Sequence, residues 1–285
     1  MSDTSLAPAP TISIELVRAL LQGTGADANQ QALCIQRAGI APALLQQPGA
    51  RVTTGQFAGL YRLLAQLHDD ETPGMFARPL RGGTLKFLCL SLVGSPSLLT
   101  ALYRFTQYFR LLLDDLHFAL RTRGPLVQMA LLPRSEAVRQ NLFAQKMMLK
   151  LVHGVASWLA GQKIPLAQVD FSHARPEQGA ESVFLYPGPQ RFGQPEMALW
   201  FELPQLQMPV RQSAQSIAGF LARAPGDWMF QSFAERIISH RVREYLLQRL
   251  EQPPALPEVA AALHFSERTL ARKLQAEGSS FQGIK

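Results

Sequence analysis

The chain has 285 residues, 47% of them hydrophobic and 17% charged, enough apolar surface for a sizeable core and enough length for two domains. Disordered, collagen-like and low-complexity classes are excluded, and two cysteines, Cys34 and Cys89, cannot build a disulfide framework or a cysteine-based zinc site. The formal charge of +7 is spread along the chain, with 18 Lys/Arg against 14 Asp/Glu in residues 1–210 and 10 against 7 in 211–285, so charge alone supports a nucleic-acid partner only weakly.

The first residues, with Pro8 and Pro10, read as a disordered start over 1–11 that lacks the basic and apolar regions of a secretory signal. No run approaches the roughly 20 apolar residues that span a bilayer, and the chain reads as cytoplasmic, with no membrane partner. Ile14, Val17, Leu20 and Leu21 share one helical face before Gly23, and a second helix is expected from Asn29 to the stop at Gly39. Thr53 and Gln56 have capping-box spacing and open a helix through Phe57, Leu60, Leu63, Leu64 and Leu67. Residues 69–83 read as turns. Ser95-Pro96 marks the next start, of a helix carrying Leu98, Leu102, Phe105, Tyr108, Phe109 and Leu112.

Strand signals follow at 116–120 and 126–131, joined as a hairpin in which Gly124 supplies the turn geometry. A long helix over 135–160 ends at Gly161, and further strands are expected at 168–172, 181–185 and 198–203. The pattern predicts an α+β domain with a mainly antiparallel sheet. Past Pro209 it becomes all-helical, with Phe230, Phe233, Ile237, Ile238, Val242, Leu246 and Leu250 at helical spacing and Pro225-Gly226 as the clearest breaker.

Residues 256–274 read as helix, tight turn, helix. Ala260 is small enough for a close crossing, Ser266 is a good N-cap, and Leu270 and Leu274 face inward against Val259 and Leu263. Arg268 and Arg272, four apart, then share a face the core does not use. Such a helix suits the major groove, where arginine binds guanine bidentately, and the same pattern equally fits a helical hairpin with solvated arginines.

Val259-Ala260, Leu263, the run Ser266-Glu267-Arg268-Thr269-Leu270, Arg272-Lys273-Leu274 and Glu277-Gly278-Ser279-Ser280-Phe281 resemble the first half of the DNA-binding unit of AraC/XylS-type transcription regulators. The resemblance places Arg268, Ala271 and Arg272 where that family reads bases, and makes Ser266, Thr269 and Lys273 phosphate contacts. Upstream, the Ser95–Arg110 motif S-P-S-L-x-x-A-L-x-R-x-x-x-Y-x-R, residues 169–176 and residues 203–209 resemble the effector-sensing N-terminal domain labelled "arabinose-binding" in one branch of these regulators. The resemblance implies operator DNA and a small-molecule effector as partners, RNA polymerase as the contact of an activator, and a homodimer formed through the sensor; it calls for no cofactor. The implied organisation is a sensor over 12–210, a linker over 211–228 and a helical DNA-binding domain over 229–285. The family's DNA unit has two helix-turn-helix motifs, whereas this sequence ends at Lys285 as the joining helix begins, so a truncated unit with weak DNA binding is expected. The alternative is a sensor module that acts through protein contacts without DNA binding of its own.

Other candidates are weaker. His173 and Arg175, just after an expected strand, could hold an anionic effector or belong to a structural turn closed by Pro176. Tyr108 is a candidate pocket residue, with Phe105 and Phe109 as core. His68-Asp69-Asp70-Glu71 reads as a solvated helix terminus rather than a metal cluster, because consecutive residues at a helix end diverge. The sequence has no G-x-S-x-G elbow, P-loop, dinucleotide fingerprint or His-Glu-x-x-His, and nothing in it asks for an enzyme.

Overall fold

The computed structural model describes residues 10–175, 185, 186, 188–230, 238, 242, 245, 246, 249, 254–263, 265–276 and 280–284. Nearly all of the expected disordered start, the expected strand at 181–185 apart from Leu185, and most of the expected helix past residue 230 lie outside the described residues. Two compact units emerge, Met1–Phe230 and Gln231–Lys285.

The first unit opens with β1 (Thr11–Ser13), paired antiparallel to β2 (Arg51–Thr53). Ser13 caps α1 (Ile14–Gly23), which buries Ile14, Val17, Leu20 and Leu21 as its spacing predicts. After α2 (Ala28–Arg37), Thr53 and Gln56 form the expected capping box at the head of α3 (Thr54–His68): the Thr53 hydroxyl accepts from the Gln56 N–H at 3.1 Å and Gln56 accepts from the Thr53 N–H at 2.9 Å. α4 (Thr84–Val93) has no counterpart in the sequence reading. α5 (Leu98–Leu112) begins two residues later than expected, because Ser97, not Ser95, accepts the Thr100 N–H.

β3 (Leu116–Arg123) and β4 (Leu126–Pro133) form the expected hairpin, with Gly124 at φ +58° in its turn. The expected single helix over 135–160 is two, α6 (Glu136–Gln140) and α7 (Leu142–Ala160), because Asn141 leaves helical geometry and its side chain caps α7 through the Ala144 N–H. α7 is buried along almost its whole length, the signature of a central core helix. With β5 (Gln168–Asp170), β6 (Gln190–Arg191) and β7 (Ala198–Glu202), the large sheet has the order β3-β4-β7-β5-β6, antiparallel except between β5 and β6. The fold is therefore α+β with a mainly antiparallel sheet, and no helix among the described residues is long and apolar enough to cross a membrane.

One expectation needs correction. After α8 (Leu203–Leu206), residues 211–228 are not a linker: they carry α9 (Ala214–Arg223) and the start of α10 (Gly226–Phe230), both within the first unit. Burial is the reason. Ile217, Phe220, Trp228 and Met229 join the main core, and Phe220 stacks on Trp158 of α7 with ring centroids 4.5 Å apart and planes 16° from parallel.

The second unit holds α11 (Leu256–Ala262), α12 (Glu267–Ala276) and α13 (Phe281–Ile284). Its core is separate and gathers Ile238, Val242, Leu246, Val259, Ala260, Leu263, Leu270, Leu274 and Phe281. The Phe265 N–H returns to the Ala260 carbonyl at 2.8 Å and tightens the turn between α11 and α12.

Candidate functional site

The first candidate surface is the outer face of α12. Ser266 sits at its head, where its hydroxyl accepts from the Thr269 N–H at 3.2 Å and donates to the Thr269 hydroxyl at 2.8 Å. Leu270 and Leu274 are buried, so the 3.6-residue repeat turns Arg268, Ala271 and Arg272 outward, and all three are exposed. Lys273 is also exposed, its ammonium 5.4 Å from the centre of the Phe265 ring. The two guanidiniums, one turn apart with alanine between them, form a narrow cationic face that can approach a groove closely.

The second candidate is a cavity of about 590 Å³ inside the first unit. α3 contributes Tyr61, Arg62, Ala65 and Gln66; the segment leading into α4 contributes Glu71, Leu80 and Gly83; α4 contributes Leu85 and Leu88; α7 contributes Met147, Met148 and Leu151. A further part of the wall is Leu221, Ala224, Pro225 and Trp228, at the end of α9 and the start of α10. Its size and largely apolar walls suit a small molecule.

Of three successive carboxylates after α3, Asp69 and Glu71 line this cavity and Asp70 is buried beside them. Asp69, in left-handed geometry at the end of α3, accepts from the Gly82 N–H at 3.0 Å and pairs with Arg81 at 2.7 Å. Buried Asp70 accepts from the Thr72, Gly74 and Leu80 N–H groups, each at 3.0 Å, and from the Thr72 hydroxyl. Glu71 accepts from the Gly83 N–H at 2.7 Å and the Leu85 N–H at 2.6 Å. Asp69 is exposed, as a solvated helix end would be, but Asp70 is buried and Glu71 half-buried. They tie the returning loop to α3 by satisfying amides that would otherwise lack partners. Among the described residues, no group of three or more His, Cys, Asp or Glu is placed to hold a metal ion.

Burial raises the Glu71 carboxyl above the usual range, although its two amide partners pull the other way. Cys89, on the neighbouring helix, is pushed up to about 12, chiefly by burial and secondarily by Glu71.

The sequence-derived ligand candidates are separated by the fold. Tyr108 is not itself a wall residue; its hydroxyl donates to the carbonyl of Thr84, which is one, at 2.8 Å. Burial first and Glu71 second raise its phenol. His173 and Arg175 do not line the cavity. The His173 ring packs against Phe171 and Phe192, its Nδ1 is 2.7 Å from the Ala174 carbonyl, and the Arg175 guanidinium lies 5.0 Å from the centre of the Phe192 ring. His153 and Trp158 are core residues of α7. The cavity residues Glu71 and Trp228 carry no local motif, because the site is assembled from four distant segments.

A family model described as "Arabinose-binding domain of AraC transcription regulator, N-term" matches residues 29–210, more than half of the chain. No curated protein matches the chain. Among solved structures, the crystal structure of transcriptional regulator CdpR from Pseudomonas aeruginosa is similar at 15% sequence identity and a TM-score of 0.39, over 90% of this chain and 80% of that chain.

Proposed function

The chain belongs to the family of AraC transcription regulators with an arabinose-binding-type N-terminal domain, and we propose that it is a ligand-responsive, sequence-specific DNA-binding regulator. The observation that carries the DNA-binding part is the arrangement of α12, with Leu270 and Leu274 in the core and Arg268 and Arg272 exposed one turn apart. In this reading α12 enters the major groove and the two arginines address guanine edges, while Ala271 meets a thymine methyl. Ser266, Thr269 and Lys273 hold the phosphate backbone and set register. The Ser266 proton is committed to Thr269, so the Thr269 hydroxyl is the one of the pair with a proton left to donate.

The cavity of the first unit is the proposed effector site. Four of its wall residues, Leu221, Ala224, Pro225 and Trp228, lie on the last stretch of chain before the second unit begins at Gln231. A ligand that fills the cavity therefore touches the segment that leads to the reading helix. For that contact to regulate, the effector must bind the DNA-bound and free forms with different affinity, and operator must change effector affinity by the same factor. A cytoplasmic location, a homodimer formed through the sensor and contact with RNA polymerase complete the proposal and rest on family membership alone.

The test is selection from a random duplex pool at two salt concentrations, run on this chain and on its Arg268→Ala/Arg272→Ala variant. Enrichment of a defined sequence that the double variant loses supports the reading. Enrichment that survives the double variant overturns the role of α12. No enrichment by either leaves the sensor acting through protein contacts as the better account.

A further inference from the structure

Within the cavity the charged wall groups are unequal. Arg62 is exposed and gives both its Nε and Nη2 hydrogens to the Ala224 carbonyl, at 3.1 and 2.7 Å. Lys86 is exposed at the rim, and Asp69 is matched by Arg81. Glu71 is the exception: it is half-buried, both hydrogen-bond partners of its carboxylate are backbone amides, and among the described residues no cation pairs with it. Each carboxylate oxygen takes up to two hydrogen bonds, so each retains one acceptor position. Around it the walls are apolar, from Leu80, Leu88, Met148 and Leu151, or aromatic, from Tyr61 and Trp228. Aromatic side chains attract a cation as well as covering apolar surface.

We propose that the cavity takes an amphipathic amine, an organic ammonium on an apolar body, whose N–H groups are received by Glu71. This rests on the reading of the cavity as the effector site and names the class of ligand. A carboxylate ligand would put a third anion beside Glu71 and Asp70, while the cations of the lining, Arg62 and Lys86, are both exposed to solvent. A neutral alcohol would bind through the apolar walls with one ordinary hydrogen bond. An ammonium adds a charge-assisted one, roughly twice as strong.

The proposal also fixes a pH dependence. The titratable and charged groups around Glu71 are Asp69 and Asp70 on its own segment, Tyr61 on α3, Cys89 on α4 and Tyr108 on α5, with Arg62 and Lys86 further out in the wall or rim. Burial raises the Glu71 carboxyl, and only its ionised form receives an ammonium well. Amine affinity therefore rises as pH climbs through the raised Glu71 range, while the ammonium keeps its proton throughout.

The experiment compares n-octylamine, n-octanol and n-octanoate as probes of equal apolar body, by titration calorimetry on the full chain and on Glu71→Gln. The expected order is amine tightest, by about tenfold or more over the alcohol, and octanoate weakest. Glu71→Gln brings the amine down to the alcohol and flattens its pH profile, while n-octanol affinity is retained and shows the cavity still formed. Octanoate binding tightest, or an amine preference that survives in Glu71→Gln, overturns the ligand class and leaves the effector site standing. No binding by any of the three overturns the cavity as a ligand site.

Discussion

The backbone of Trp228 lies against Gly154 so closely that a Cβ at position 154 would stand 2.3 Å from the Trp228 carbonyl oxygen and 2.6 Å from its Cα. That approach lets α10 pack across the middle of α7 and turns Trp228 into a wall of the cavity. Gly154→Ala gains about 1 kcal/mol of helix propensity, but the obstruction is backbone and cannot swing aside. Overpacking of this kind costs about 1–3 kcal/mol, and propensity offsets part of it. The expected result is a lower urea midpoint at unchanged denaturant slope. A variant more stable than the parent would show that the two helices do not meet there.

Phe220 stacks on Trp158 and fixes α9 to the same helix. Trp158→Ala and Phe220→Ala should each destabilise the first unit by about 3–5 kcal/mol. Because the two rings touch, the double variant should lose less than the sum of the singles, by roughly 0.5–1.5 kcal/mol. Strict additivity in this cycle would mean that the stacked pair is not formed in solution.

The parts of the fold that were readable are those whose cause is local. The Thr53–Gln56 capping box, the turn at Gly124 and the stop at Gly161, which takes φ +67°, each act within a few residues, and sequence spacing reveals them. The burial of Leu270 and Leu274 was readable for the same reason, since their spacing is that of one helix face. α4 was missed because Gly83 opens it without any side-chain cap and residues 85–93 are too uniformly apolar to show a stripe. Residues 211–228 misled because Pro225-Gly226 looks like an ordinary breaker; the apolar spacing of Ile217 and Phe220 was the signal available against it. The clamp formed by Asp69, Asp70 and Glu71 was invisible for a different reason. Its partners, from Thr72 to Leu85, become partners only after the loop has folded back on α3.

His153 is fully buried on α7, with Nε2 2.7 Å from the Ile164 carbonyl. Burial foremost, then the charges of Lys150 and Lys163, hold its imidazole well below the ordinary histidine value, against the hydrogen bond to Ile164. The folded chain thus declines a proton that the unfolded chain accepts as pH falls through about 6.5. The contribution to stability is present above that pH and is lost below it, at up to about 1.4 kcal/mol per pH unit. His153→Gln keeps a donor for Ile164 and removes the titration. The stability gap between wild type and His153→Gln should therefore move against wild type between about pH 8 and about pH 5. A gap independent of pH would mean that His153 protonates equally in both states.

Arg268 and Lys273 both stand exposed on α12, and their proposed roles separate by experiment. A base-reading arginine should, on change to alanine, cost about 1–3 kcal/mol on the preferred sequence and relax preference at one base position. Arg272→Ala should do the same at a neighbouring position, since the two side chains are one helical turn apart. Lys273→Ala should weaken binding to every duplex alike and reduce the salt slope by about one. Binding measured against salt on matched and scrambled duplexes distinguishes these patterns. If Arg268→Ala behaves as Lys273→Ala is expected to, losing affinity uniformly and lowering the salt slope, then Arg268 holds phosphate. The base-reading face must in that case lie further round the helix, toward Ala271 and Gln275, which are exposed as well.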